Sequence, residues 1–358
     1  AATPVVPLAL IRPRTTGEVS AALALCNAER IAVVPQGGRT GLVGGAQPLA
    51  DAVVVSLDRL SVPPAIDPLA RIATVDAGVT LAALQAAAAG HGLAFPVDFG
   101  ARGSCQIGGM ISTNAGGIRA FRHGMTRANV LGLEAVLPGG RVVNAMNRHL
   151  KNNAGYDIRQ LFIGAEGTLG IVTRAALKLA PRPRDIQVAF VALTSVEAAV
   201  QLLNRFQRHD GDSLAAFEYM ARFGIDLVLR HIPDVKDPLA ERYAHYALVE
   251  LASPRPDANL RSVLEEVLGA AMEEGIVLDA ALAESGAQRQ AMWRLREEHA
   301  EAQKREGASV KNDVSVPVSK VPELIARGIE AVRRIVPAVR PCPFGHVGDG
   351  NIHFNFSR

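Results

Sequence analysis

Three glycine-rich stretches in the first half of this 358-residue chain constrain its fold more than any other feature. The first, PQGGRTGLVGG (35–45), follows the apolar run 31–34, which predicts a short buried strand. Glycine lacks a Cβ atom and adopts positive φ angles freely, so the backbone N–H groups of such a loop can converge on an anion. A pyrophosphate fits this chemistry, and a plain glycine-rich turn is the alternative for this stretch taken alone.

Two further stretches favour the ligand-binding interpretation. GARGSCQIGGMISTNAGG (100–117) is preceded by Phe95–Asp98, and NNAGYD (152–157) is followed by FIGAEGTLGIVT (162–173). Segments this rich in small residues bury little surface of their own, so we expect their backbones to wrap around something flat and long. The spacing of the first stretch matches neither GxGxxG nor GxxxxGK[ST], which argues against a Rossmann nucleotide site and a P-loop.

Composition excludes several classes of protein. The 38 basic and 35 acidic residues are interspersed and give a net charge of +3, so nothing indicates nucleic-acid binding. No apolar run is long enough to predict a transmembrane segment, and the first residues lack a signal-peptide pattern. Cys26, Cys105 and Cys342 show no CxxC or CxxH spacing, which favours a reducing compartment, such as the bacterial cytoplasm, over a disulfide framework.

The chain length predicts two domains, and APRPR (180–184) interrupts any regular element between them. We therefore expect domains at 1–182 and 183–358. Near the N-terminus, the spacing from Thr15 to Glu18 is that of a capping box and predicts a helix over about 17–29. Beyond the boundary, alternating patterns predict strands at 188–193 and 246–251 and helices at 196–208 and 259–274, an α+β arrangement.

Two charged segments in the second half have competing interpretations. WRLREEHA (293–300) is helical in pattern, and for Arg296 a solvated helix face is the alternative to a functional role. VKNDVSVP (310–317) alternates with a period of two, which places Lys311, Asp313 and Ser315 on one strand face. A structural pairing of Lys311 with Asp313 is the alternative to a binding role there.

The segment GHVGDGNIHFNF (345–356) predicts a hairpin. If the turn is formed by residues 348–351, His346 lies opposite His353, with Cβ atoms on the order of 5 Å apart. Two imidazoles at that separation can share a divalent ion. An imidazole that is simply hydrogen-bonded in a core is the alternative for each.

In order and spacing, the three glycine-rich stretches resemble the FAD-binding domain of the vanillyl-alcohol-oxidase type. The resemblance is to the branch that holds D-lactate, glycolate-oxidase-subunit and D-2-hydroxyglutarate dehydrogenases, and it extends over nearly the whole chain. It implies a two-lobed α+β FAD-binding domain followed by an α+β substrate, or cap, domain. Members with covalent flavin carry His where this chain has Arg39, so the resemblance implies non-covalent FAD.

The resemblance also implies roles for individual residues of the first domain. Residues 36–40 would hold the diphosphate, the second stretch would line the flavin, and the third would close over the adenosine and ribityl parts. The cofactor-binding residues implied in this way are Pro35, Gln36, Gly37, Gly38, Arg39, Thr40, Gly41, Pro96, Ser104, Gly108, Gly109, Asn114, Gly116, Glu166, Gly167, Gly170 and Ile171.

In the second domain, the resemblance makes Arg296 the clamp for a substrate carboxylate and Lys311 a second cationic contact. It places Asn355 near the substrate and makes His346 and His353 ligands of a divalent metal, with zinc expected. A Glu-His pair beyond Arg358 would supply the third ligand and a base.

The activity implied is oxidation of a D-2-hydroxy acid to the 2-keto acid, with hydride transfer to flavin N5. D-2-hydroxyglutarate is the favoured substrate, and D-lactate or glycolate is the alternative, because Ala300 stands where the 2-hydroxyglutarate members often carry Thr. A quinone or an electron-transfer flavoprotein would accept the electrons, and a homodimer is expected. Rival hypotheses are a non-catalytic flavin-binding subunit or fragment and a metal hydrolase without flavin.

Overall fold

The computed structural model describes residues 5–41 and 43–358. The chain divides into two compact units, Ala1–Arg182 and Pro183–Arg358. No helix within the described ranges is both long and apolar enough to cross a membrane. Both units mix helices with largely antiparallel sheets, which confirms the predicted α+β class.

The first unit begins with a strand and a capped helix. The side chain of Thr15 accepts a hydrogen bond from the backbone N–H of Glu18 at 3.2 Å, and the helix that follows confirms the one predicted there. The strands are β1 Ala9–Ile11, β2 Ala32–Gln36, β3 Ala52–Ser56, β4 Ala65–Asp67, β5 Ile72–Asp76, β6 Leu93–Ala94, β7 Val130–Val136, β8 Val142–Ala145, β9 Ile171–Lys178 and β10 Ala180–Pro181. The helices are α1 Thr16–Ala28, α2 Leu81–Ala89, α3 Ile107–Ser112, α4 Ala120–His123, α5 Thr126–Asn129 and α6 Arg159–Phe162.

Two main sheets position the glycine-rich stretches of this unit. A parallel sheet has the order β1-β3-β2, and an antiparallel sheet has the order β4-β5-β9-β7-β8. Helix α1 buries Val19 and Leu23 in a core shared with Val53 of β3 and Val136 of β7. The first glycine-rich stretch starts at the end of β2 and the third runs into β9, so the two sheets fix the ends of both stretches.

The second unit alternates strands and helices. Its strands are β11 Asp185–Leu193, β12 Leu214–Ala221, β13 His245–Ser253, β14 Val277–Leu282, β15 Ser309–Val310, β16 Asp313–Ser315, β17 Arg340–His346 and β18 Asn351–Ser357. Its helices are α7 Val196–Asp210, α8 Arg222–His231, α9 Leu260–Glu273, α10 Gly286–Glu297, α11 His299–Glu306 and α12 Val321–Ile335. The strands and helices predicted just beyond the boundary are confirmed.

These strands form one antiparallel sheet with the order β14-β11-β13-β12-β17-β18-β15, and β16 also pairs with β18. Residues 246–253 of β13 are all buried, as expected for a strand covered on both faces. Alternate residues of β11 and β13, such as Phe190 and Leu248, pack with Leu227 of α8 and Leu295 of α10. This packing lays α10, which carries Arg296, against the sheet.

Two predicted elements are wrong in detail. The single helix expected over 293–300 is divided, because α10 ends at Glu297 and α11 begins at His299. The strand expected over 310–317 is interrupted after Val310, since Asn312 hydrogen-bonds through both its backbone and its side chain to residues of β18. Lys311 therefore lies in a break between β15 and β16, and the register to β18 is the same on both sides of that break.

Candidate functional site

The first and second glycine-rich stretches touch through their backbones. A Cβ atom built on Gly38 would lie 2.7 Å from the carbonyl carbon of Ser104 and 3.0 Å from Cα of Cys105, closer than real Cβ contacts allow. At Gly37 the same construction lies 3.3 Å from Oε1 of Gln106 and 3.9 Å from Cα of Gly109. Glycine at position 38 is thus required for these two backbones to meet.

The third stretch joins the other two. A Cβ atom on Gly167, which has φ +81°, would lie 2.6 Å from Cγ of Pro35. The backbone N–H of Glu166 donates to the carbonyl of Ser112 at 2.8 Å. Residues 35–45, 100–117 and 162–171 therefore surround one place in the first unit, which we call the glycine-loop site; Leu42 lies outside the described residues.

The glycine-loop site fits an anionic dinucleotide. Within the described part of the chain, the backbone N–H groups of residues 37–41 donate to no acceptor, so they are available to a diphosphate. Oε1 of Gln106 is buried and has no hydrogen-bond partner among the described residues. Buried polar atoms are normally paired, so both observations indicate a ligand with polar groups on its surface.

Other predicted cofactor residues occupy distinct positions around this site. Arg39, Asn114 and Glu166 have positive φ angles of 54°, 48° and 51°, which non-glycine residues adopt mainly under local constraint. Ile171 is 4 % exposed and belongs to the hydrophobic core, and Pro96 is also buried. For Ile171 the structure thus shows a packing role for the side chain, and only its backbone is left to face a ligand.

Arg127 braces this site and was missed by sequence reasoning. Its Nη1 donates to the backbone carbonyl and to Oε1 of Gln160, at 3.0 and 2.7 Å, and its Nη2 donates to the carbonyl of Ile163. Its own backbone N–H donates to Oδ1 of Asn114 at 2.9 Å. Arg127 thereby ties the second stretch, through its backbone N–H, to the third, through its guanidinium.

In the second unit, Arg296 is buried and its Nε donates to Oε2 of Glu218 at 2.6 Å. The other carboxylate oxygen of Glu218 lies 2.5 Å from Nδ1 of His346. The guanidinium also lies over the ring of Phe344, with Cζ 4.9 Å from the ring centroid. The solvated-face alternative for Arg296 is therefore wrong.

His346 and His353 lie on the same face of the β17–β18 hairpin, but they are not directly opposite as predicted. His346 pairs with Asn351, and His353 pairs with Phe344. The turn comprises residues 347–350, and it closes early because Gly350 adopts the left-handed conformation with φ 78°. The shift of two residues preserves the face, and the two imidazole centroids are 5.4 Å apart.

Each imidazole is held by a carboxylate through Nδ1: His346 by Glu218, and His353 by Asp313. Burial opposes protonation of His346, but the charge of Glu218 and its hydrogen bond together outweigh burial and raise the pKa of this imidazole above its usual value. Burial, reinforced by the charge of Arg296, lowers the pKa of His353, and Asp313 offsets only part of that effect. We call Glu218, Arg296, His346, His353 and Asp313 the imidazole–guanidinium cluster.

Glu218 was the main omission of the sequence reasoning. Burial alone would raise the pKa of its carboxyl group, but the charges of Arg296 and His346 outweigh burial and lower it to about 2. The carboxylate is therefore ionised, and its two hydrogen bonds satisfy both oxygens. The one available signal was a single acidic residue within the otherwise apolar strand LAAFEYMA.

The remaining predicted residues are placed differently. Lys311 is exposed and makes no ion pair within residues 5–41 and 43–358; Asp313, its alternative partner, pairs with His353 instead. Asn355 is 4 % exposed: its Nδ2 donates to Oε1 of Gln303 at 2.9 Å, and its Oδ1 accepts from the backbone N–H of Asn312. Asn355 thus connects β18 to α11 from within the core.

A complete metal centre is not present among the described residues. No three or more His, Cys, Asp and Glu side chains in these ranges are grouped so that they could hold one ion, so the predicted zinc site is not supported. The residues that are present fit two ligand positions. With Nδ1 of His346 and His353 engaged by carboxylates, Nε2 of each remains as the coordinating atom.

Comparison with known families assigns both units. Residues 7–146 match the family described as "FAD binding domain", and residues 182–358 match "FAD linked oxidases, C-terminal domain". The computed fold is similar to a solved structure of alkyldihydroxyacetonephosphate synthase, with a TM-score of 0.73, 16% identity, and coverage of 97% of this chain and 70% of that one.

Curated relatives are considerably more similar. A probable mitochondrial D-2-hydroxyglutarate dehydrogenase from Oryza sativa subsp. indica is 40% identical over 347 residues, which are 97% of this chain and 61% of the relative. A D-2-hydroxyglutarate dehydrogenase from Xanthomonas citri pv. viticola is 41% identical over 349 residues, or 98% of this chain and 72% of the relative. The chain thus spans about three fifths of the length of the rice protein.

These matches confirm the resemblance that the glycine-rich stretches indicated. The chain belongs to the FAD-linked oxidases, in the branch that holds the D-2-hydroxyglutarate dehydrogenases.

Proposed function

We propose that this chain is the FAD- and substrate-binding part of a dehydrogenase that oxidises a D-2-hydroxy acid, with D-2-hydroxyglutarate favoured, to the 2-keto acid. One observation carries the proposal. Arg296 is fixed by Glu218 through Nε, while its two terminal nitrogens hydrogen-bond to no residue of the described ranges. Those nitrogens form the planar pair of donors that binds a carboxylate.

The chemistry of the cluster suits such a substrate. A carboxylate bound by Arg296 brings the adjacent α-hydroxyl toward the imidazoles, because His346 shares Glu218 with Arg296. The low pKa of His353 keeps this ring neutral near pH 7, so its Nε2 is a lone-pair donor. Positioning of this kind supplies a large part of the rate in reactions between bound groups.

Oxidation removes a proton from the hydroxyl oxygen and a hydride from Cα as the C=O bond forms. Bound FAD supplies the hydride acceptor, its N5 atom. The hydroxyl proton must pass to a base within reach of the bound substrate. A divalent cation, if bound, would be held by Nε2 of His346 and of His353, and its charge would lower the hydroxyl pKa.

The choice of D-2-hydroxyglutarate rests on the names of the rice and Xanthomonas relatives. Glutarate adds a second carboxylate, and Lys311 is an exposed cation that makes no ion pair within the described residues, so we propose Lys311 as its contact. We further propose a quinone or an electron-transfer flavoprotein as electron acceptor, a homodimer, and a reducing compartment such as the bacterial cytoplasm. The three cysteines are free and buried, as suits such a compartment.

The test is a panel of D- and L-2-hydroxy acids supplied to the full-length protein with an artificial dye acceptor, before and after chelation. We expect turnover of D-2-hydroxyglutarate in preference to D-lactate, glycolate and the L-isomers. If D-lactate or glycolate is turned over in preference, that acid would replace D-2-hydroxyglutarate as the proposed substrate. Yellow protein that turns over none of the acids would indicate a non-catalytic flavin-binding subunit, and colourless protein that takes up no FAD would end the proposal.

Two further measurements probe individual parts of the proposal. Chelation that abolishes turnover supports a metal at His346 and His353, whereas turnover that ignores chelation removes the metal from the mechanism. Arg296→Lys retains the charge but loses the planar pair of donors, so we expect kcat/KM to fall at least ~100-fold. Lys311→Met should raise KM for D-2-hydroxyglutarate by up to about fivefold, the effect of losing about 1 kcal/mol from an exposed ion pair, and leave KM for D-lactate unchanged, because D-lactate has no second carboxylate.

A further inference from the structure

We infer that Glu218 is a positioning residue that sets both the tautomer of His346 and the orientation of the Arg296 guanidinium; this rests on the proposed function of those two residues. Its contacts come from three separate elements. Glu218 lies on β12, Arg296 on α10, and His346 at the end of β17. The sheet register places Glu218 directly opposite His346.

Arg296 and His346 contact different oxygen atoms of the Glu218 carboxylate, so they do not compete for it. Oε2 accepts from Nε of Arg296 at 2.6 Å, and Oε1 lies 2.5 Å from Nδ1 of His346. The Glu218 side chain is only 1 % exposed, so water does not replace either partner. A carboxylate that is buried in this way can be stabilised only by the donors that reach it.

Both contacts determine which atoms remain for a ligand. An ionised carboxylate only accepts hydrogen bonds, so the hydrogen of the neutral His346 ring is held at Nδ1 and the lone pair is left at Nε2. The guanidinium is anchored by Nε, which directs its two terminal nitrogens away from Glu218 as a pair. One buried carboxylate thus prepares an acceptor atom and a pair of donors.

Glu250 offers a matched control for a purely structural role. It lies on the neighbouring strand β13, is 4 % exposed, and accepts a hydrogen bond from Nε1 of Trp293 at 2.8 Å. Trp293 precedes Arg296 on α10 by less than one helical turn. Glu250 therefore also fastens α10 to the sheet, but its contact on that helix is Trp293 and not Arg296.

The kinetic test compares Glu218→Gln with Glu250→Gln in the full-length protein loaded with FAD. We expect Glu218→Gln to lower kcat/KM for the preferred hydroxy acid by 10- to 100-fold, as is typical when an outer residue that orients a functional side chain is lost. Glu250→Gln should stay within about threefold of wild type at a comparable loss of melting temperature. In an Arg296→Lys background, Glu218→Gln should cost less than it does alone, because the two residues act together.

A second test measures the tautomer of His346 directly and does not depend on turnover. Nitrogen NMR of ¹⁵N-histidine-labelled wild-type protein, recorded at a pH above the raised pKa of His346 and with His346→Asn used for assignment, should show hydrogen at Nδ1 and a lone pair at Nε2 of this ring. Glu218→Gln should shift the ring toward the other tautomer, and Glu218→Asp, which keeps the charge, should restore part of the wild-type signal.

The outcomes separate the two proposals. Wild-type protein whose neutral His346 ring carries hydrogen at Nε2, or a Glu218→Gln variant as active as Glu250→Gln, would overturn the inference about Glu218. Wild-type protein that oxidises no hydroxy acid but shows the expected tautomer would overturn the proposed function alone. If Glu218→Gln does not fold, the wild-type tautomer and the Glu218→Asp variant still decide the inference.

Discussion

Replacing Gly38 with alanine tests whether the glycine-loop site binds FAD. The new methyl group would stand 2.7 Å from the carbonyl carbon of Ser104, whereas ordinary contact begins at 3.4 Å. The carbonyl oxygen of Ser104 lies nearer still, so the two backbones must move apart by more than the ~0.7 Å difference between these two distances. Neither contacting atom is at the end of a flexible side chain, so the shift must be taken up by the loops themselves.

A shift of that size disrupts hydrogen bonds to a bound diphosphate. Hydrogen bonds to a charged group contribute about 1.5–3 kcal/mol each, so losing two costs about 3–6 kcal/mol. Each 1.4 kcal/mol corresponds to a factor of ten in affinity. We therefore expect Gly38→Ala to raise the dissociation constant for FAD by at least ~100-fold.

The assay is equilibrium dialysis of apo-protein against FAD, followed by visible flavin absorbance. Gly139→Ala is the control, because this glycine lies in the turn between β7 and β8, outside the three stretches, and a Cβ atom there meets no described atom within 4 Å. We expect its dissociation constant to stay within about threefold of wild type. If Gly38→Ala folds and binds FAD as tightly as Gly139→Ala does, the first two stretches do not form the cofactor site.

Three other changes test separate parts of the structure. Arg127→Lys cannot reproduce the paired donors that hold residues 160–163, so FAD affinity measured by dialysis should fall about tenfold, and unchanged affinity would contradict the bracing role. Trp293→Phe removes the donor to Glu250, and chemical denaturation should show a loss of about 1–3 kcal/mol in unfolding free energy; no loss would mean the bond contributes nothing. Burial lowers the pKa of His299 from 6.5 to about 3, so between these pH values the unfolded chain binds a proton that the folded chain does not, and folding stability falls as pH falls. His299→Leu removes this proton, so the unfolding free energy should fall less steeply with falling pH, by up to ~1.4 kcal/mol per pH unit. An unchanged dependence of the unfolding free energy on pH would refute the lowered pKa of His299.

The glycine-loop site was largely predictable because its information is local. Glycine density marks segments that have little to pack, and this property is visible within a dozen residues. The close approach of Gly38 to Ser104 was not predictable, since it depends on how β2 and α3 are placed by the sheets. Arg127 was missed for a related reason. An arginine that binds no ligand, and whose guanidinium only donates hydrogen bonds to carbonyl groups of the same chain, has no sequence signature.

The second unit shows where local patterns stop being sufficient. The alternation around His346 and His353 correctly predicted a shared strand face, because a shift of two residues preserves parity. The register itself was wrong, since it was set by the left-handed conformation of Gly350 rather than by the polar character of the turn. For Lys311, the alternation extended over a segment that Asn312 removes from the ladder.

Glu218 is the sharpest case, because its partners Arg296 and His346 are 78 and 128 residues away in the sequence. Only the order β12-β17 in the sheet, with α10 packed on its face, brings the three side chains together. Sequence patterns recognised the two cationic partners by resemblance but gave no reason for either to be buried. A buried cation requires a compensating charge nearby, so once a functional Arg is expected inside a domain, an isolated acidic residue in an apolar strand becomes the place to look for its anchor.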